Sequence, residues 1–136
     1  LIRAFKQIGA KQVGLIMLGE GPLWEELKKE GDDRILLPGF KTNVYDYLIA
    51  SDYYISASDV EGLANTLLES MTVGLPMLLS DIPSHPEVLS KMSVTTGYIF
   101  NNKDSNSLFE KIEKVHLLDY TAKKISLSYQ NAYTSL

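Results

Sequence analysis

The chain contains no cysteine. Disulfides, thiolate metal sites and cysteine nucleophiles are thereby excluded, and a reducing compartment is compatible with the composition. Histidine is nearly as scarce, with His85 and His116 the two copies. Neither has a second ligand close in sequence that marks a metal site. Charge of one sign is lacking too: 13 Lys and Arg stand against 17 Asp and Glu, for a formal net charge of -4. That balance gives no support to a polyanion-binding surface, so nucleic acid is not expected as a partner. The pairs Lys28–Lys29 and Lys123–Lys124 read as ordinary solvated helix faces. The longest apolar runs fall well short of the roughly 20 residues a spanning helix needs. No signal peptide is visible, and no basic amphipathic helix suits a membrane surface. The opening LIRAFKQIG reads as the middle of a domain and not as a processed start. Internal repeats, low-complexity segments and long linkers are absent.

What is present fits one domain around one core, at 136 residues and 45% apolar. Leu1, Ile2, Phe5 and Ile8 have helical spacing, with Gly9 as a stop. Val13–Leu18 is a nearly continuous apolar run and predicts a buried parallel strand. GEGP follows at 19–22; its glycines suit a sharp turn or a close ligand, and Pro22 suits the first position of a helix over Leu23–Glu30. A second strand, Arg34–Leu37, is expected to end at Pro38 and Gly39, with Phe40 projecting from the loop beyond. Asn43 is expected to cap a helix through Ile49. Asp52–Ser56 reads as a third strand, Asn65–Val73 as a helix stopped by Gly74, and Pro76–Leu79 as a fourth strand. Asp81–Pro86 reads as a loop, Glu87–Lys91 as a helical turn and Tyr98–Phe100 as a small fifth strand. Asp104 or Ser105 caps a helix with Leu108, Ile112, Val115 and Leu118 on its apolar face, and 120–136 predicts one further helix. Strands alternating with helices over short connections imply an α/β fold: a Rossmann-like parallel sheet with helices on both faces.

Two glutamates, Glu61 and Glu69, bracket the junction between the third strand and the helix that follows. Glu61 lies in the loop past Ser56, and Glu69 about one turn into the helix from Asn65. Both carboxylates are expected to face one crevice at the carboxyl edge of the sheet, where open α/β sheets bind ligands. Paired carboxylates there suit a polyhydroxylated ligand, since they accept hydrogen bonds from hydroxyls. The opening amides of the Asn65 helix lack helix partners and suit a diphosphate without a metal. His85 reads as a surface loop residue near the crevice, and His116 as a structural or exposed helix residue. Ser58 with Asp59, and Ser84 with His85, lack a triad pattern. Tyr45, Tyr47, Tyr53 and Tyr54 read as core or partial core.

The block EGLANTLLESMTVGLPMLLSDIPSHPEVL resembles the retaining glycosyltransferases of the GT-B superfamily, specifically the glycosyltransferase group 1 family, also called family 4. The family's signature is a Glu, seven residues and a second Glu, which Glu61 and Glu69 match. Gly62, Leu67, Leu68, Ser70, Met71, Gly74, Pro76, Ser80, Asp81, Pro86, Glu87 and Val88 agree as flanks. GEGP, LLPGF at 36–40, SDYYISASDVEG and GYIFNNKD follow the family order, so the resemblance covers nearly the whole chain. It implies that Glu61 contacts hydroxyls of the transferred sugar, orienting the donor and favouring positive character at the anomeric carbon. It implies that Glu69 accepts hydrogen bonds from the donor ribose, and that Gly62, Leu63, Ala64 and Asn65 lie against pyrophosphate and sugar. Gly19 and Gly21 are implied to line the same crevice, and Leu37 to Phe40 to border the base.

The chain departs from the family in two ways. Leu63 and Ala64 stand where many members have an aromatic and a glycine, and Asn65 replaces a commoner apolar residue; this reads as a shifted donor or acceptor preference. The first strand of the domain, with the Arg and Lys that follow it in the family, is absent before Leu1, and Lys41 is a remote substitute. Residues 1–136 are therefore expected to be an N-terminally truncated sugar-nucleotide binding domain, the second half of a GT-B fold. Alone it is expected to bind donor weakly and to transfer nothing detectable. An unpaired sheet edge is expected, open to self-association.

The full enzyme is expected to move a hexose or N-acetylhexosamine, with retention, from a nucleoside-diphosphate sugar to a glycan or lipid-linked acceptor held by the missing N-terminal domain. UDP-sugar is the preferred donor type. No cofactor or metal is implied, and no Asp-x-Asp motif appears. The expected location is cytoplasmic, with the full-length enzyme reaching the inner membrane face through its missing half. The alternatives are a non-catalytic Rossmann-like binding or assembly module and a nucleotide-sugar epimerase. A phosphoacceptor receiver domain fits poorly, for want of an acidic cluster at the first strand ends.

Overall fold

The computed structural model describes residues 1–9, 13–30, 32–62, 64–90 and 97–116. Helices and strands alternate along them: α1 (Ile2–Gln7), β1 (Leu15–Leu18), α2 (Trp24–Lys29), β2 (Ile35–Gly39), α3 (Val44–Ile49), β3 (Tyr54–Ser56), α4 (Asn65–Val73), β4 (Met77–Ser80), α5 (Ser84–Ser90), β5 (Gly97–Phe100) and α6 (Ser105–His116). The helix expected over 120–136, together with Leu118 and Lys91, lies outside the described residues.

Every recorded strand pair is parallel, as short strand–helix alternation requires. The strands form two sheets, β1–β2 and β3–β4–β5. Among the described residues no ladder joins them, so β1 and β3 are each bonded on one side only. β4 is the central strand of the larger sheet and is buried at all four residues. Alternation along β4 sends Met77 and Leu79 against Leu67 and Met71 of α4 and Val88 of α5. It sends Leu78 to the other face, against Ala4 of α1, Phe100, and Leu108 and Val115 of α6. Helices thus cover both faces of this sheet. A third cluster, Ile2, Phe5, Ile8 and Leu15, packs α1 on β1, with Phe109 and Ile112 of α6 against it.

Several boundaries have visible local causes. Gly74 ends α4 in the left-handed conformation, φ 85, with Ser70 O accepting from the amides of Gly74 and Leu75. Asp104 caps α6: its Oδ1 accepts from the amides of Asn106 (2.9 Å) and Ser107 (3.1 Å). Other expectations need correction. β2 does not stop at Leu37 but runs through Pro38 to end at Gly39, because the pairing jumps from Ile16–Leu36 to Leu18–Gly39. Leu37 and Pro38 share the place opposite Met17, so the residue without an N–H occupies a bulge. Pro22 sits in the turn before α2, which Trp24 N closes onto Gly21 O (3.0 Å), and not in the helix. Asn43 occupies the N-cap of α3 without capping it: its side-chain amide donates to Asp46 Oδ2 at 2.7 Å. α5 begins at Ser84 and not at Glu87; Pro86 falls in its first turn, where a missing N–H costs nothing.

Gly97 marks the tightest approach between strands. A Cβ there would meet Met77 O at 2.8 Å and Leu89 Cδ2 at 2.9 Å. Leu89 can shift, but the carbonyl belongs to the central strand. Gly97→Ala is therefore expected to lower stability by about 1–3 kcal/mol, the usual range for an overpacked site. Urea denaturation would read this as a lower midpoint at unchanged slope.

Candidate active site

The carboxyl ends of β1 and β2 are tied together through one side chain. Gly19 takes φ 113 at the end of β1, and its amide donates to Gly39 O at 3.0 Å. Gly39 takes φ 80 at the end of β2. Glu20 reaches across so that its Oε1 accepts from the amide of Phe40 at 3.4 Å, and a Cβ on Gly39 would lie 3.0 Å from that oxygen. Gly19, Gly21 and Gly62 have open space where a Cβ would be. Phe40 is 69% exposed. Leu37 turns the other way from Leu36 along β2 and lines a cavity of about 170 Å³ under α2, with Leu27, Lys28, Asp32 and Ile35. Of the residues expected to border a base, Phe40 thus stays beside the glycine turn, and the Leu37 side chain leaves it.

Glu61 sits in the loop after β3, held from three directions. Its Oε1 accepts from Ser58 Oγ at 2.6 Å, and its carbonyl accepts from Ser84 Oγ at 3.3 Å. The loop is also fixed by Ser80 Oγ, which donates to Ser58 O at 2.6 Å. The third neighbour is His85, whose Nε2 lies 3.8 Å from Glu61 Oε2. His85 is 1% exposed, so the expectation of a surface loop residue is overturned. It belongs to α5, and its Nδ1 bonds to Ser80 O at 2.8 Å. The backbone anchor draws the ring inward from the helix. Glu20, Ser58, Ser80, Ser84 and His85 are the site residues that motif reading passed over. A signal for Ser80 existed, since it was one of the agreeing flanks. For His85 the signal was its place beside Pro86 at a helix start.

Gly62 is exposed, Ala64 is half-buried, and Leu63 lies outside the described residues. Ala64 is the N-cap of α4 and provides no side-chain acceptor, so the opening amides at Asn65 and Thr66 have no side-chain cap. Glu69 lies in the second turn of α4. With Tyr45, Asn65, Leu68 and Thr72 it lines a cavity of about 290 Å³ between α3 and α4. Glu61 does not line that cavity. Burial pushes the Tyr54 phenol above its usual value; Glu61 and Glu69 push it further, opposed by hydrogen bonds with Thr66 and Ser56. The Tyr54 hydroxyl lies 3.0 Å from Thr66 Oγ1, in the first turn of α4. Among the described residues no group of three or more His, Cys, Asp or Glu gathers as a metal site.

The model of the glycosyl transferases group 1 family matches residues 1–117. The chain is similar to the lipopolysaccharide core biosynthesis mannosyltransferase LpsB of Rhizobium meliloti, at 30% identity over 76% of the chain and 30% of that protein. It is similar to the N-acetylgalactosamine-N,N'-diacetylbacillosaminyl-diphospho-undecaprenol 4-alpha-N-acetylgalactosaminyltransferase of Campylobacter jejuni, at 29% identity over 96% of the chain and 36% of that protein. It therefore spans about a third of the length of these curated relatives. The fold matches that of Anabaena Alr3699/HepE, solved in complex with UDP, with a TM-score of 0.79 at 20% identity over 98% of the chain and 39% of that structure.

Tyr54 offers a test of the site's electrostatics. Its phenol ionises at a higher pH in the folded chain than unfolded, where the value is near 10.0. Its contribution is present below that pH and is lost as pH rises through the folded value, because the unfolded state releases its proton first. Denaturation measured at increasing alkaline pH is expected to show the parent chain losing stability faster than Tyr54→Phe. Parallel curves would contradict the shift.

Proposed function

The chain belongs to the glycosyl transferases group 1 family, and on that premise we propose that residues 1–136 are the domain that binds a nucleoside-diphosphate sugar for a retaining transferase. The observation that carries this reading is the uncapped first turn of α4, with Glu61 held in the loop before it and Glu69 in its second turn. Glu69, beside a cavity of about 290 Å³, accepts hydrogen bonds from the ribose hydroxyls. The opening amides of α4 meet the diphosphate, where negative charge grows as the nucleoside diphosphate leaves. Glu61 accepts from hydroxyls of the transferred sugar and orients its anomeric carbon toward the acceptor. The sugar moves with retention onto a glycan or lipid-linked acceptor bound by the remainder of the enzyme. UDP is the favoured carrier, supported by the UDP complex of the structurally similar HepE.

The epimerase alternative needs an acid or base presented to a pyranose ring. His85 does not supply one, since it is 1% exposed and its ring nitrogens face Ser80 and Glu61.

Calorimetric titration of the chain with UDP, GDP, ADP and a UDP-sugar tests the reading. UDP is expected to bind saturably, and Glu69→Ala to weaken it by about tenfold or more, the worth of a charge-assisted hydrogen bond. Glu61→Gln is expected to leave UDP affinity unchanged and to remove the additional affinity of the UDP-sugar. A Glu69→Ala variant that binds UDP as well as the parent chain would reject the ribose assignment.

A further inference from the structure

We propose that His85 is the positioning residue for Glu61, by holding one proton between His85 Nε2 and Glu61 Oε2. The inference rests on the reading of Glu61 as the donor-sugar ligand. It begins with the other ring nitrogen. Nδ1 lies 2.8 Å from Ser80 O. A carbonyl oxygen can only accept, so Nδ1 carries a hydrogen. In a neutral ring Nε2 then has a lone pair, and that lone pair faces the carboxylate oxygen 3.8 Å away. Both atoms are buried, and neither has a hydrogen-bond partner.

Two buried acceptors facing each other are an expensive arrangement, because each has lost water and gained nothing. One proton between them removes the conflict. The pair then carries no net charge, whether the proton rides on nitrogen or on oxygen. The 3.8 Å separation exceeds an N–H···O bond but lies within ion-pair range. Glu61 is the carboxylate that meets the ring; from β4 the ring meets the Ser80 carbonyl and, at 3.4 Å, the Ser80 hydroxyl. Glu87, on the same helix as His85, is exposed.

This arrangement decides which oxygen serves a ligand. Oε2 is buried against His85, while the Glu61 side chain as a whole is 31% exposed. Oε1, already accepting from Ser58 Oγ, has further lone-pair capacity and is the oxygen for a sugar hydroxyl.

The experiment uses the chain with 15N-labelled histidine, observed at neutral pH. The His85 Nε2 resonance is expected at the position of a protonated or proton-sharing nitrogen, and to move to that of a bare lone-pair nitrogen in Glu61→Ala. A bare lone-pair signal in the parent chain, or one indifferent to Glu61→Ala, overturns the proposal. This readout needs no ligand, so it stands apart from failure of UDP to bind. Where UDP binds, His85→Ala is expected to cost about tenfold in UDP-sugar affinity while sparing UDP, as loss of one such bond predicts. His85→Gln, with a donor amide in reach of Oε2, is expected to restore part of it. Equal losses for UDP and UDP-sugar would mean a merely structural role and would also overturn the proposal.

Discussion

The burial of β4 is the constraint to which the rest of the larger sheet answers. Met77, Leu78 and Leu79 pair with β3 on one side, all four residues pair with β5 on the other, and helices cover both faces. A strand so enclosed leaves no room for an unpaired polar group. Yet its last residue, Ser80, is polar and 0% exposed. Ser80 meets that requirement by bonding to the site. Its hydroxyl donates to Ser58 O, and its carbonyl receives His85 Nδ1. Core burial therefore fixes the loop that carries Glu61 and, from the same residue, the ring that faces it.

The polar contacts around Glu61 differ in kind from those on the surface. Lys103 and Asp59 make an ion pair at 3.2 Å between side chains 74% and 55% exposed. Such a pair contributes little, since water and salt screen it. It also leaves Lys103 engaged with a carboxylate two residues from Glu61, and so a weak candidate for neutralising a diphosphate. The Ser58–Glu61–His85 group lies where screening is poor, and each unmet bond costs more. Placement of Glu61 is thus governed by the buried group, and the neighbouring exposed charges act on it weakly.

Much of the fold was legible because its causes are local. The apolar spacing of α1, the left-handed Gly74 after α4 and the cap of α6 each act within a few residues; of the two caps the sequence offers for α6, Asp104 is the one used. The sheet order was legible only as parallel alternation. The places where reading failed depend on distant partners. Pro38 looks like a strand end until the bulge opposite Met17 absorbs it. Asn43 looks like a cap until Asp46 takes its amide. His85 looks exposed beside serine and proline until the Ser80 carbonyl, set by β4, draws its ring inward. The glutamate pair was legible as a motif, but its geometry was not. The cavity that Glu69 lines excludes Glu61.

The candidate residues follow strands of two different ladders. The glycine turn and Phe40 sit at the ends of β1 and β2, while Glu61 and Glu69 follow β3. No ladder among the described residues fixes one set of loops relative to the other. Their spacing rests on side-chain packing: Ile2, Phe5 and Ile8 of the α1 segment lie on Leu15, with Phe109 and Ile112 of α6 against them, and α6 in turn packs on β4 and β5. A ladder locks register through directional bonds, whereas apolar contacts resist separation but tolerate small sliding. Around Glu61, Ser80 and Ser84 hold the loop backbone through the Ser58 and Glu61 carbonyls.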